Sequence, residues 1–165
     1  MNHKHFMKIA LDHAKSSLSE GEFPVGCAIE YEGKVLASSS RKHTTGKTIN
    51  EVDHAEIVAL KKFSEFDNIN RENATLYSTL EPCLMCYGAI LLSGIGQIVY
   101  AYEDVMGGGT GCDLTKLTPL YNRFNVPVIS NILREKSLRL FKEYFSNPKT
   151  LYWKGSLLAS YTLEQ

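Results

Sequence analysis

A chain of 165 residues, 44% hydrophobic and 22% charged, has room for one domain with a substantial core and the composition of an ordinary soluble globule. Its 18 basic and 18 acidic residues cancel, which gives no support to a strongly basic nucleic-acid-binding face. The amino-terminal stretch has no uninterrupted apolar run, so neither a secretion signal nor a membrane span is expected, and the four cysteines form no disulfide framework; a cytoplasmic location fits.

Phe6, Ile9, Ala10, His13, Ala14 and Leu18 recur at helical spacing and predict a first helix that ends near Glu20-Gly21, with His13 at its boundary. Residues 24–31 read as a buried strand in which Cys27 packs as a small hydrophobe. Glu32-Gly33 reads as a short turn and residues 34–39 as the returning strand. Residues 41–50 are polar and aperiodic. They form a loop whose Arg41, Lys42, His43, Lys47 and Asn50 are candidate substrate contacts, although for any one of them solvated surface is the commoner role. Asp53 is expected to cap a helix that carries His54, Glu56, Ile57, Leu60 and Phe63.

Residues 74–80 predict a strand, 82–93 a helix with Leu84, Ala89, Ile90 and Leu91 mostly in the core, and 97–102 a further strand. Strand, helix, strand at this spacing implies a parallel pair joined by a right-handed crossover. Residues 103–112 hold Gly107, Gly108, Gly109 and Gly111 without a phosphate-loop pattern and read as a flexible site wall; Cys112 follows the glycines. Residues 126–130 are the last expected strand and 132–145 the last clear helix. The tail over 146–165 carries Leu151, Tyr152, Trp153, Leu157, Leu158 and Tyr161. It is too apolar for water and is expected to pack on the domain, the active site or a partner subunit. With no repeat, linker or low-complexity segment, residues 1–165 read as a single domain.

The chemistry concentrates in two short stretches, His54-Ala55-Glu56 and Pro82-Cys83-Leu84-Met85-Cys86. Taken singly each is weak: Cys-x-x-Cys also serves redox pairs and structural zinc, and a lone histidine near an apolar helix is more often a satisfied core residue. Together they supply one imidazole and two thiolates, three zinc ligands where a closed structural site has four. An open fourth position holds a water whose pKa the metal lowers toward neutrality. Glu56 is left over to carry protons. Pro82 suits the first turn of a helix, which sets both thiols at a helix N-terminus, where the dipole favours thiolate. His54 and Glu56, two apart, can serve one site only from the first turn of their helix, approaching it from the end.

The order H-x-E followed by P-C-x-x-C is the zinc deaminase pattern. With Gly21 to Gly26, His54 to Ile57, Thr75 to Cys86, Gly88 to Ile90, Asp104 and Gly107, the chain resembles the cytidine deaminase superfamily over about residues 6–145. Within it the chain is most like the bacterial tRNA adenosine deaminases, which make inosine at the wobble position. The resemblance implies a three-layer α/β/α fold with a five-stranded mixed sheet between helices, one zinc ion per chain held by His54, Cys83 and Cys86, Glu56 as catalytic acid–base, and a homodimer. It also makes Pro24, Val25, Gly26, Arg41, Pro82 and Asp104 the candidate substrate contacts. Arg41 stands where the family usually has an asparagine, and the 41–50 loop is longer than the family's. The basic end of a tRNA binder is replaced here by the apolar tail. Three functions follow in order: deamination of adenosine in a tRNA anticodon loop, deamination of a free base, nucleoside or nucleotide such as guanine, and a non-catalytic zinc-binding interaction domain. The last has no use for an open coordination position or for Glu56.

Overall fold

The computed structural model describes residues 2–165. In chain order the elements are α1 (His3–Ser19), β1 (Gly26–Tyr31), β2 (Lys34–Ser40), α2 (Ala55–Phe63), β3 (Ala74–Leu80), α3 (Leu84–Leu92), β4 (Gln97–Tyr102), α4 (Pro119–Asn122), β5 (Val128–Ile129), α5 (Arg134–Ser146) and α6 (Leu157–Glu164). The strands form one sheet in the order β2-β1-β3-β4-β5, antiparallel at β1/β2 and β1/β3 and parallel at β3/β4 and β4/β5. This is the expected α/β architecture with a five-stranded mixed sheet.

Alternation along the strands sorts side chains to the two faces. Ala28 of β1, Tyr77 of β3, and Val99 and Ala101 of β4 meet Phe6, Met7, Ala10 and Leu11 of α1, with Leu140 of α5 beside them. Cys27, Ile29, Leu76, Leu80 and Ile98 face a larger core that holds Ala59 and Phe63 of α2 and Tyr87, Ile90 and Leu91 of α3. Cys27 packs as a small apolar group, as its setting in the sequence suggests. β1 and α1 approach so closely that a Cβ at Gly26 would stand 2.0 Å from the Ala10 carbonyl oxygen. That glycine is required by packing.

Several boundaries differ from the sequence reading for identifiable reasons. Asp53 does not cap α2. His54 is the N-cap residue, and the Asp53 carboxylate is engaged by Lys61 Nζ at 2.7 Å and Asn50 Nδ2 at 2.9 Å. Pro82 precedes the first turn of α3, whose N-cap is Cys83. Leu84 is 62% exposed, not core, because the buried face of α3 is the one that carries Cys86, Tyr87, Ile90 and Leu91. β5 shrinks to two residues, and the tail contains a helix, α6, that its short apolar run did not announce. Among the described residues no helix is long and apolar enough to cross a membrane.

Candidate metal centre

Two helix N-termini meet at the carboxyl end of β3. His54 caps α2 with extended backbone (φ −62°, ψ 157°), and Cys83 caps α3 likewise (φ −67°, ψ 171°), with Cys86 in the first turn. His54 Nδ1 lies 3.6 Å from Cys83 Sγ and 3.5 Å from Cys86 Sγ. Bonds of about 2.3 Å to sulfur and 2.0–2.1 Å to nitrogen at a tetrahedral angle put such atoms about 3.6 Å apart, so the donors already have the spacing a zinc ion requires. Charge gives the same answer. Hydrogen bonding with the Cys86 thiol holds Cys83 down to about 4, while that pairing and burial push Cys86 up. One thiolate is comfortable alone; two need a cation, and the ends of α2 and α3 add positive dipole to it. His54, Cys83 and Cys86 can hold one zinc ion.

Glu56 sits in the first turn of α2 and is 3% exposed. Its Oε1 accepts from Ser78 Oγ at 2.8 Å, and its Oε2 is 3.6 Å from Cys86 Sγ. Burial raises its pKa above the ordinary carboxylate value. Sequence reasoning missed Ser78. The available signal was a hydroxyl on the same face as Leu76 and Leu80 in an otherwise buried strand.

A cavity of about 300 Å³ opens over the cluster. Of the substrate contacts expected from the sequence, Val25, Arg41 and Asp104 line it together with His54, Glu56 and Cys83. Pro24, Gly26 and Pro82 are not among its lining residues. The Gly26 amide donates to Thr79 Oγ1 at 3.0 Å, and the Pro82 carbonyl accepts from Gly109 at 2.9 Å. Asp104 Oδ1 accepts from the amides of Met106 and Gly107, so its carboxylate folds its own loop. Gly107 lines the cavity, so the glycine stretch forms part of the site wall, as expected, and two of its glycines are closely packed. A Cβ at Gly109 would fall 2.5 Å from the Leu84 nitrogen, and Gly108 bridges to Cys83, so bare backbone presses the ligand segment into place.

Arg41 also departs from the solvated-surface reading of its loop, at 2% exposed. Its guanidinium donates to the carbonyls of Lys42 at 2.9 Å, Asp53 at 3.1 Å and Asn50 at 2.7 Å. It therefore braces the turn that delivers His54. Phe23, Glu51, Glu81 and Met106 line the cavity without having been singled out as site residues, and Tyr152, Trp153 and Leu158 bring the tail to the active site, one of the places expected for it. Tyr152 and Trp153 come from the tail, more than ninety residues from His54, and only the tail's apolar character pointed toward the site.

Residues 1–102 match the zinc-binding region of the cytidine and deoxycytidylate deaminases. The chain is 32% identical over 143 residues to the tRNA-specific adenosine deaminase of Bacillus subtilis, spanning 85% of this chain and 86% of that protein. To the tRNA-specific adenosine deaminase of Aquifex aeolicus it is 30% identical over 153 residues, spanning 88% and 95%. Its fold superposes on a solved tRNA deaminase of A-to-I editing at the wobble position of transfer RNA with a TM-score of 0.68. Identity there is 28%, over 82% of this chain and 98% of that one. The guanine deaminase of Nitrosomonas europaea superposes with a TM-score of 0.67 at 22% identity, over 86% of this chain and 83% of that one, a likeness of fold.

Proposed function

The chain belongs to the cytidine and deoxycytidylate deaminase zinc-binding family, and from that premise we propose that it hydrolyses the exocyclic amine of adenosine to inosine in a tRNA anticodon loop. One observation carries the hydrolytic part. Three ligands converge with a fourth direction open to a cavity, and a buried carboxylate stands beside them. When bound, zinc supplies a water acidified toward neutrality at that open position. Glu56 Oε takes the proton of that attacking water and hands it to the ring nitrogen, which makes the amine-bearing carbon more electrophilic. The water's oxygen bonds to that carbon. A second proton passes through Glu56 to the amine, the C–N bond breaks, and ammonia leaves. Ser78 holds the carboxylate on line, and burial raises its proton affinity above that of an ordinary carboxylate. His54, Cys83 and Cys86 are the metal ligands in this reading, Val25, Arg41 and Asp104 shape the substrate cavity, and residues 1–165 act as one catalytic unit.

A second reading, deamination of a free base or nucleoside such as guanine, is favoured by Tyr152 and Trp153, which place the tail at the cavity. A homodimer is supported by α3, where Leu84 and Leu92 are exposed on one stripe with open space at Gly88 between them. Four free cysteines support a reducing compartment, the cytoplasm. The deciding experiment is ammonia release, with inosine identified in the product, from an anticodon stem–loop, adenosine and guanine in parallel. Release from none of them by zinc-loaded protein would remove the deaminase reading.

A further inference from the structure

At the end of the sheet away from the metal centre, an open cavity of about 830 Å³ lies beside the start of α1. Ala28, Tyr77 and Val99 stand side by side across β1, β3 and β4 and pack against α1. Two residues further along the strands, Glu30, Thr75 and Gln97 form the next row on that face. Here the row lines the cavity, with Asn2 and Phe6 at its side. Glu30 is 1% exposed. Its Oε1 accepts from the Gly33 amide at 2.6 Å, and its Oε2 has no hydrogen-bond partner. The neighbouring Tyr77 hydroxyl, paired with His3 Nδ1 at 3.0 Å and pushed up to about 12 by burial and by that carboxylate, stays neutral. A buried charged acceptor left unpaired is costly, so this oxygen marks a place for a donor from outside the chain.

Charge around the cavity has one sign. Glu32 and Glu72, both exposed, add two more carboxylates, and no lysine, arginine or histidine is among the described lining residues. A single metal ion does not fit. Among the described residues, the one group of histidine, cysteine or acidic side chains close enough to share an ion is His54, Cys83 and Cys86. The three carboxylates here are spread too widely to close on one cation, and a cavity of this size suits an organic ligand. Several positive charges joined by a flexible apolar chain meet both conditions. Each ammonium brings N–H donors to a carboxylate, and the methylenes between them can lie against Phe6 and Ala74.

We infer that this cavity binds a linear polyamine, with one ammonium group on Glu30 Oε2 and the others on Glu32 and Glu72. With the amine bound, Oε2 gains the donor it lacks, and the folded state is stabilised by the binding. The site is separate from the metal centre and does not depend on what the chain deaminates.

The test titrates spermidine into the full-length, zinc-loaded protein by calorimetry, in amine-free buffer of low ionic strength, and repeats the comparison as a thermal melt. Wild type should take up about one spermidine per chain and melt higher with it. Glu30→Gln keeps an oxygen for the Gly33 amide and removes the charge, so its Kd should rise at least about tenfold, the factor that a hydrogen bond to a charged group carries. Without spermidine it should melt no lower than wild type, because the unpaired buried charge is gone. Glu32→Gln combined with Glu72→Gln, both at exposed positions, should weaken binding by about threefold or more, and this variant keeps the test open where Glu30→Gln does not fold. Methylammonium, with a single charge, should bind at least about tenfold more weakly than spermidine. Glu65→Gln, an exposed acid outside the cavity, should bind as wild type. No uptake by wild type overturns the inference, as does wild-type affinity in Glu30→Gln or, where that protein does not fold, in the double variant. An equal loss in Glu65→Gln would assign the binding to surface charge at large and overturn it too. Magnesium binding more tightly than spermidine at this cavity would make it a metal site and end the polyamine assignment.

Discussion

At the scale of single residues the proposed mechanism divides labour between charge and proton. Cys83 and His54 each end a helix with extended backbone, which aims their donors at one point, while Glu56 is held beside them by Ser78. Removing a ligand and removing the proton carrier should therefore fail differently. Cys83→Ala should lose its zinc, read as metal per chain after purification without chelator, since two donors no longer define a site. Glu56→Ala should keep zinc and fold and lose activity by about a hundredfold or more, the usual share of a general acid–base group. A Glu56→Ala protein that turns over at near-normal rate would strip that residue of its role. The motif residues were legible because metal chemistry constrains both residue type and spacing. Arg41 was not. A buried guanidinium braced by three carbonyls looks, in one dimension, like any polar loop residue, and only the folded 50–53 turn supplies its partners.

At the scale of elements, periodicity located α1, β1 to β4, α2 and α3, since each buries a face against the sheet over six or more residues. It failed at α6, eight residues whose buried side chains, Leu158, Ala159 and Thr162, include a polar one. What docks α6 is polar as well as apolar. Tyr102 and Thr162 hydroxyls meet at 3.0 Å, and Tyr161 donates to Glu103, which is paired with Arg134 at the start of α5. The Arg134 guanidinium holds Glu103 at about 2, below the ordinary value of 4.5. A depressed carboxyl stabilises the fold above its unfolded pKa and loses that contribution as pH falls through its folded one. The pair should thus support the tail at pH 5 and above and fade between about 4.5 and about 2. Arg134→Met should cost about 1–3 kcal/mol at neutral pH, as for hydrogen bonds to charged groups, and its melting deficit should shrink toward zero as pH drops through that window. A deficit that does not change with pH would assign the loss to packing instead.

At the scale of the whole molecule, the question is what the last eighteen residues do. From the sequence they could complete the core or lid the site, and those two roles predict different truncations. In the fold the same side chains do both. Tyr152 and Leu158 belong to the main core, where Tyr152 packs edge-on against Phe23 at 5.3 Å between centroids, and both also line the catalytic cavity. A chain ending at Asn147 loses both. At roughly 1.5–3 kcal/mol for each large side chain, that is about 3–6 kcal/mol, or roughly 6–24 °C in Tm for a domain of this size. On the proposed reading the loss should be accompanied by weaker binding of small substrates, because the removed residues form one wall of the cavity over the metal cluster. Leu151→Ser, at 76% exposed, should leave the melt within about 0.5 kcal/mol of wild type. Calorimetry and ammonia release on the two proteins decide the matter. A truncated protein that melts normally would show that Tyr152 and Leu158 contribute nothing to the core. One that melts early yet binds adenosine or guanine as wild type would take the tail out of the site.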